Sequence, residues 1–127
     1  MALSRIIIRP NSRSAGILPA FLEFKENTGG QGARAPIMLY MVIEHFKDRN
    51  AAPVYRRFHE KGRMVPDGLV YIDSWIETNY DRCFQLMECE QPELFEQWTR
   101  NWDDIADFEI IPVVTSKEAR ERIEPML

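Results

Sequence analysis

Aromatic and acidic side chains lie close together in several segments of this 127-residue chain. Residues 68–77 form a predicted strand in which alternate side chains share a face, so Tyr71, Asp73 and Trp75 should lie together. A carboxylate held against apolar walls loses hydration, which raises its pKa and suits it to act as a general base. The aromatic rings would supply affinity and the polar groups orientation, so the pattern predicts a small-molecule site.

Further candidate bases lie in neighbouring predicted strands. Glu44 and His45 are adjacent, so they face opposite sides of one strand and cannot serve one site. We expect His45 to face the cavity. The candidate catalytic residues are therefore His45, Asp73 and Glu109, and the candidate ligand-binding residues are Tyr71, Trp75, Arg82, Gln85 and Met87. The alternative is that these side chains hydrogen-bond across a subunit interface, and that Arg82 pairs with a local carboxylate.

Other kinds of chemistry find little support in the sequence. It contains no HExxH motif, no Cys/His ligand spacing and no glycine-rich phosphate loop, so we predict no metal and no cofactor. Cys83 and Cys89 are separated by roughly 20 Å along one predicted strand, too far for a disulfide between them. Neither has a histidine partner visible in the sequence, which disfavours a thiolate nucleophile. The absence of a disulfide framework predicts a reducing, cytoplasmic location.

The charge distribution argues against nucleic acid and membrane partners. Residues 1–37 carry five basic and two acidic side chains, which leaves 11 basic and 18 acidic ones, a net charge of −7, for the remainder. A region this acidic repels phosphate backbones and anionic lipid surfaces. No apolar run approaches the ~20 residues that span a bilayer.

Six elements must position the candidate site. The patterns predict strands over residues 38–46, 68–77, 82–89 and 108–114, a helix from Asn50 to the turn at Pro66-Asp67-Gly68, and a helix carrying Phe95, Trp98, Trp102 and Ile105. The order β-α-β-β-α-β predicts an α+β, ferredoxin-like sandwich. In this fold, right-handed crossovers place both helices on one face of a four-stranded antiparallel sheet.

The other face of the sheet, called the open face below, has no predicted helix to cover it. The first strand is apolar on both sides, and we assign Tyr71, Trp75 and Met87 to the open face as well. An apolar patch of this size is rarely left to water. We therefore expect a homodimer through the open face, a small apolar or aromatic ligand on it, or both.

The ends of the chain differ from the central domain. Residues 1–37 are rich in glycine, proline and arginine without periodicity, which predicts a disordered N-terminal extension. A transit peptide, or a natural start at Met38 or Met41, are alternatives for this segment. The folded domain should cover residues 38–115, and residues 116–127 should form a C-terminal helix and tail. Its first residues match a capping box, Thr115-Ser116-Lys117-Glu118.

A family resemblance adds to this interpretation. Its most specific string is Arg82-Cys83-Phe84-Gln85-Leu86-Met87-Glu88, accompanied by Gly62-Arg63-Met64, Pro66-Asp67-Gly68-Leu69, Asp73-Ser74-Trp75, Trp98, Trp102-Asp103-Asp104 and Phe108-Glu109. Over residues 38–116 the chain resembles a bacterial family named domain of unknown function 3303. It departs from the pattern at Gln91, where an acidic helix cap is expected. The resemblance implies a small domain of the dimeric α/β-barrel group and implies no activity or catalytic residue.

Three functional hypotheses follow from these patterns. The first is a homodimeric binding module with a small-molecule cavity between the two sheets. The second, by analogy of fold alone, is a cofactor-independent enzyme of the monooxygenase or isomerase type. The third is a purely structural dimer.

Overall fold

The computed structural model describes residues 6–8 and 36–127, with side chains described for residues 36–127. The strands are β1 (Ile6–Ile8), β2 (Met38–Phe46), β3 (Val70–Ile76), β4 (Arg82–Cys89) and β5 (Ala106–Val113). The helices are α1 (Ala52–Lys61), α2 (Glu93–Thr99) and α3 (Ser116–Ile123), with short 3-10 helices at Lys47–Arg49 and Glu124–Met126. None of the helices in this part of the chain is long and apolar enough to cross a membrane.

The sheet has the strand order β1-β5-β2-β4-β3. Strands β2 to β5 pair in antiparallel fashion, with β2 in the centre between β4 and β5. Helices α1 and α2 follow β2 and β4 in the chain. The predicted α+β, ferredoxin-like order of elements is therefore confirmed, and the near-continuous apolar sequence of β2 is explained by its central position.

The short strand β1 lies inside the predicted N-terminal extension. It pairs in parallel with β5, with Ile6 opposite Phe108 and Ile8 opposite Ile110. The segment predicted to be disordered therefore includes a short strand at Ile6–Ile8. Three consecutive β-branched residues favour a strand, and the edge of β5 offers unpaired backbone groups to it. The prediction for residues 1–5 and 9–35, including the alternative of a transit peptide, lies outside the described residues.

The core lies between the sheet and the helices. Phe95 and Trp98 of α2 contact the sheet residues Tyr40 and Phe108, with ring centroids 5.0 Å apart for Tyr40–Phe95 and 5.6 Å for Trp98–Phe108. The Tyr40–Phe95 pair is edge-on and the Trp98–Phe108 pair is tilted, and aromatic pairs contribute about 0.5–1.5 kcal/mol beyond their buried area. Because both contacts reach the face of even-numbered β2 residues, that face is the helix-covered one.

Helix α1 is shorter than the sequence predicts. The Asn50 side chain accepts a hydrogen bond from the backbone N–H of Ala52 at 3.1 Å, but the N-cap residue is Ala51, one residue beyond the predicted start. The helix ends at Lys61, because Gly62 has φ +73° and ψ −164°, a conformation that is essentially restricted to glycine. The predicted continuation to the turn at residues 66–68 is therefore wrong.

Helix α2 is also shorter than predicted. It ends at Thr99, and the residues that follow form turns as far as Ile105. Trp102 is nevertheless buried in the core, as a helical stripe would have placed it. At the C-terminus, the Thr115 side chain accepts a hydrogen bond from the Glu118 N–H at 3.1 Å, so the predicted N-cap of α3 is confirmed.

A β-bulge in β3 changes which of its side chains share a face. Tyr71 pairs with Met87, but Asp73 pairs with Leu86, so Ile72 is an extra residue without a partner. An extra residue reverses the alternation beyond it. Tyr71 therefore lies on the helix-covered face, whereas Asp73 and Trp75 lie on the open face. The prediction that these three side chains share one face is wrong for this reason.

Candidate functional site

A cavity of about 110 Å³ lies between the helix-covered face and the helices. Its walls are mostly aromatic and include Phe46, Phe58, Trp98 and Trp102. Its polar lining consists of Glu44, Arg63, Ser74, Cys83 and Gln85, and Tyr55 adds a ring that carries a hydroxyl group. A volume of this size accommodates several water molecules or one small organic molecule.

Glu44 is the most unusual residue of the cavity. It lies on the core side of the central strand β2, between Val42 and Phe46, and is only 5% exposed. Burial raises the pKa of Glu44 from an ordinary value of 4.5 to about 7, although the Arg63 charge and a Gln85 hydrogen bond oppose the increase. A carboxyl group with a pKa near neutrality can both accept and release a proton under physiological conditions.

Gln85 connects Glu44 to Arg63. Its amide nitrogen donates to Glu44 Oε1 at 3.2 Å, and its amide oxygen accepts from Arg63 Nη1 at 2.6 Å. Gln85 is 2% exposed, so neither bond competes with bulk water. The two bonds fix the orientation of the amide, because the oxygen must face the guanidinium and the nitrogen must face the carboxylate.

Arg63 is held between aromatic rings. Its guanidinium carbon lies 3.7 Å from the centroid of Tyr71 and 5.1 Å from that of Phe58, which are cation–π distances. The backbone carbonyl of Arg63 accepts hydrogen bonds from the indole nitrogens of Trp98 at 2.8 Å and Trp102 at 3.3 Å. Both the main chain and the side chain of Arg63 are therefore fixed beside the cavity.

Ser74 lines the cavity and is bonded to Tyr71, whose ring packs against Arg63. The hydroxyl groups of the two residues share a hydrogen bond of 2.6 Å. This contact depends on the bulge, since without Ile72 as an extra residue Ser74 would lie on the opposite face from Tyr71. The bulge therefore brings Ser74 of the cavity lining beside Tyr71, which contacts Arg63.

The two cysteines are buried free thiols. Cys83 lies directly opposite Glu44 in the β2–β4 pair and lines the cavity. Burial raises the pKa of both Cys83 and Cys89 to about 12, and the Glu44 charge adds to the effect at Cys83. Cys83 is therefore a protonated thiol at neutral pH, which does not favour nucleophilic attack.

The eight predicted site residues divide between the two faces of the sheet. Strand register places three of them on the helix-covered face: Tyr71, Gln85 and Met87. It places the other five on the open face: His45, Asp73, Trp75, Arg82 and Glu109. The predicted grouping of Gln85 and Met87 with Trp75 is therefore wrong, because their positions in β4 face the core. The predicted functional roles of all eight residues remain predictions.

The polar residues of the open face are paired at one end of the sheet. His45 Nε2 lies 3.8 Å from Glu109 Oε1, across neighbouring strands. Arg82 donates two hydrogen bonds of 2.9 Å to the Glu77 carboxylate, so the predicted alternative of a local ion pair is confirmed for Arg82.

The sequence interpretation left Glu44 out of the candidate site and treated Arg63 only as a possible partner of an anionic substrate or of a local carboxylate. Glu44 was set aside in favour of its neighbour His45, although a charged residue in phase with Tyr40 and Val42 is a detectable signal. Arg63 follows the helix terminator Gly62 in a loop, and nothing in its local sequence indicates that it folds back over Tyr71. Among the described residues, no group of His, Cys, Asp and Glu side chains could hold a metal ion.

Comparison with known families agrees with the resemblance noted in the sequence. Residues 38–127 match the family described as domain of unknown function (DUF3303). The chain belongs to the DUF3303 family. The match includes α3 and the C-terminal residues, so the DUF3303 domain extends beyond residue 116. No curated protein and no solved structure matches the chain.

Proposed function

We propose that this DUF3303 domain binds a small molecule in the cavity beneath its helices, with Glu44 as the polar anchor. The observation that carries the proposal is a buried carboxyl group, 5% exposed, in the lining of an aromatic cavity. A charged residue is almost never buried this deeply without a close charged partner or a functional reason. The proposal moves the predicted cavity from between two subunits to the interior of one chain.

A second candidate function is proton-transfer catalysis without a cofactor. It is favoured by the pKa of Glu44, about 7, and by the Arg63 charge that Gln85 links to it. A general base works best when its pKa lies near the operating pH. Isomerisation of a small carbonyl compound would require such a base together with a cationic group that stabilises the developing negative charge.

The binding proposal can be tested by native mass spectrometry of protein purified from its host. We expect a bound small molecule that is retained by the wild type and lost from a Val54→Phe variant, because Val54 lines the cavity and the larger ring would fill it. Thr115→Val, on the distant cap of α3, is the control. Purified protein without any ligand, together with no response to added small molecules, would contradict the proposal.

We also propose that two copies of the domain pair through the open face. This face carries half-buried apolar side chains from three strands, among them Ile43, Phe84 and Ile111, and Trp75 beside them is 52% exposed. Burying apolar surface of this kind against a second copy contributes roughly 25 cal/mol per Å². The paired polar groups at one end of the sheet would then form the rim of the interface.

Sedimentation at micromolar concentration tests the dimer. We expect the wild type to sediment as a dimer and Phe84→Glu, in the middle of the open face, to sediment as a folded monomer. Tyr80→Glu replaces an exposed aromatic residue in the β3–β4 turn and should remain dimeric. A monomeric wild type would refute pairing, while leaving the cavity proposal intact.

Two buried free thiols also support a proposed location in a reducing compartment such as the cytoplasm.

A further inference from the structure

The hydrogen-bonding groups around the cavity differ in how many of their possible hydrogen bonds are formed. Gln85 satisfies one oxygen of Glu44, Arg63 satisfies the Gln85 oxygen, and Ser74 pairs with Tyr71. Within residues 36–127 the Glu44 carboxylate accepts one hydrogen bond, from Gln85 to Oε1, and no buried side-chain oxygen there lacks a partner, so the second oxygen is open to the cavity. A buried carboxylate can accept several hydrogen bonds, so the unused capacity calls for a donor on the ligand.

The aromatic walls present carbon surface to the cavity. The polar atoms of Trp98 and Trp102, the indole N–H groups, are both directed to the carbonyl of Arg63. The rest of each ring is therefore left as apolar wall, together with Phe46 and Phe58. Flat apolar walls suit a flat apolar ligand, because aromatic rings pack edge-on or offset against one another.

The size and the charge of the cavity further limit the class of ligand that it can bind. A cavity of about 110 Å³ is smaller than the ~150 Å³ cavity that is known to take benzene, so one ring is the upper limit on ligand size and requires a small adjustment of the cavity rim. When Glu44 is ionised, its charge is opposite to that of Arg63, and the cavity then has no net charge to attract an ion. A ligand carboxylate would add a second negative charge beside Glu44.

We propose that the ligand is a neutral single-ring compound with a hydroxyl group, of the phenol class, whose O–H donates to the free oxygen of Glu44. This inference rests on the proposed binding function and names the chemical class of its ligand. The ring lies between the aromatic walls, and the hydroxyl group reaches the carboxylate at the sheet surface. The ionisable groups that face Glu44 are Arg63 from the loop after α1, Cys83 from β4 and Tyr55 from α1.

The test uses three probes of similar size: phenol, toluene and benzoate. Binding to the full-length chain is followed by calorimetry and by NMR of the indole N–H groups of Trp98 and Trp102, with Trp75 on the open face as an internal reference. We expect phenol to bind most tightly and to shift the two cavity indoles. Glu44→Gln should weaken phenol binding roughly tenfold or more, because the new amide presents N–H instead of an acceptor, and should leave toluene binding unchanged.

Controls separate this proposal from the binding function on which it rests. Glu121→Gln, on exposed α3, should bind phenol as the wild type does, and Val54→Phe should exclude both phenol and toluene. Phenol affinity should rise with pH up to about pH 7, as Glu44 ionises, and then level off. Equal binding of toluene and phenol, or preferred binding of benzoate, would overturn the ligand class and leave the cavity function standing. No response of Trp98 and Trp102 to any probe would overturn both.

Discussion

Replacing Glu44 by glutamine should make the protein more stable at neutral pH and should remove a distinct pH dependence. The pKa of Glu44 is about 7 in the folded chain and 4.5 as its ordinary value. The folded protein therefore holds a proton that the unfolded chain releases between these two values. Raising the pH through this window lowers the free energy of unfolding, and above about pH 7 the loss is complete.

The magnitude follows from the size of the shift. One pKa unit corresponds to about 1.4 kcal/mol, so the difference between 4.5 and about 7 amounts to about 3 kcal/mol. The whole pKa shift can be converted into free energy because Glu44 is 5% exposed, so solvent screens its charge only weakly. Glu44→Gln keeps the shape and the hydrogen bond with Gln85 but has no charge to desolvate.

The assay is urea unfolding of wild type and Glu44→Gln at intervals between pH 4.5 and pH 8. We expect the two proteins to differ little at pH 4.5 and the variant to be about 3 kcal/mol more stable at pH 8, or roughly 10 °C in melting temperature. Glu121→Gln, which removes an exposed carboxylate on α3, should follow the wild type throughout. A stability difference that stays constant across this pH range would refute the raised pKa of Glu44.

Two further predictions concern the loop after α1. Arg63→Met removes the positive charge that faces Glu44, so the pKa of Glu44 should rise above about 7 in a carbon-13 NMR titration of its carboxyl group. Arg120→Met on α3 is the control and should leave the pKa of Glu44 unchanged. A lower pKa of Glu44 in Arg63→Met would contradict the assigned role of Arg63. Gly62→Ala should lower the free energy of unfolding in urea by about 1–3 kcal/mol, because φ is +73° and ψ is −164° at this position. An added Cβ meets no atom within 4 Å, so backbone strain is the only penalty. An unchanged unfolding midpoint would show that another backbone conformation is available at Gly62.

The order of elements was predictable because it depends on periodicity, which the sequence displays directly. The central strand, the hairpin and the aromatic stripe of Phe95, Trp98 and Trp102 each leave a local pattern. Helix lengths were overestimated, since the stripe continues beyond Thr99 although the backbone turns away. Hydrophobic spacing records which side chains are buried and does not record whether the chain between them is helical.

The candidate site was not predictable to the same degree. The sequence does imply that Glu44 and His45 face opposite sides of β2, and this is what the structure has. A strand that is apolar on both faces gives no indication of which side the helices cover, so the choice of His45 as the cavity residue had no physical basis. The bulge at Ile72 then placed the side chains of Asp73 and Trp75 on the opposite face of the sheet from Tyr71. The run Val70-Tyr71-Ile72-Asp73 contains no glycine or other residue that indicates a bulge.

Strand β1 and the bulge at Ile72 together govern how the sheet can aggregate. Because the short strand β1 pairs with β5, the described sheet has β1 and β3 as its edge strands, and β3 is the longer of the two. Regular edges recruit strands from other molecules, and bulges are one of the features by which natural sheets prevent this. Ile72 interrupts the regular ladder of β3 near its middle. We therefore expect the residue that places Ser74 beside Tyr71 also to disfavour edge-to-edge pairing at β3.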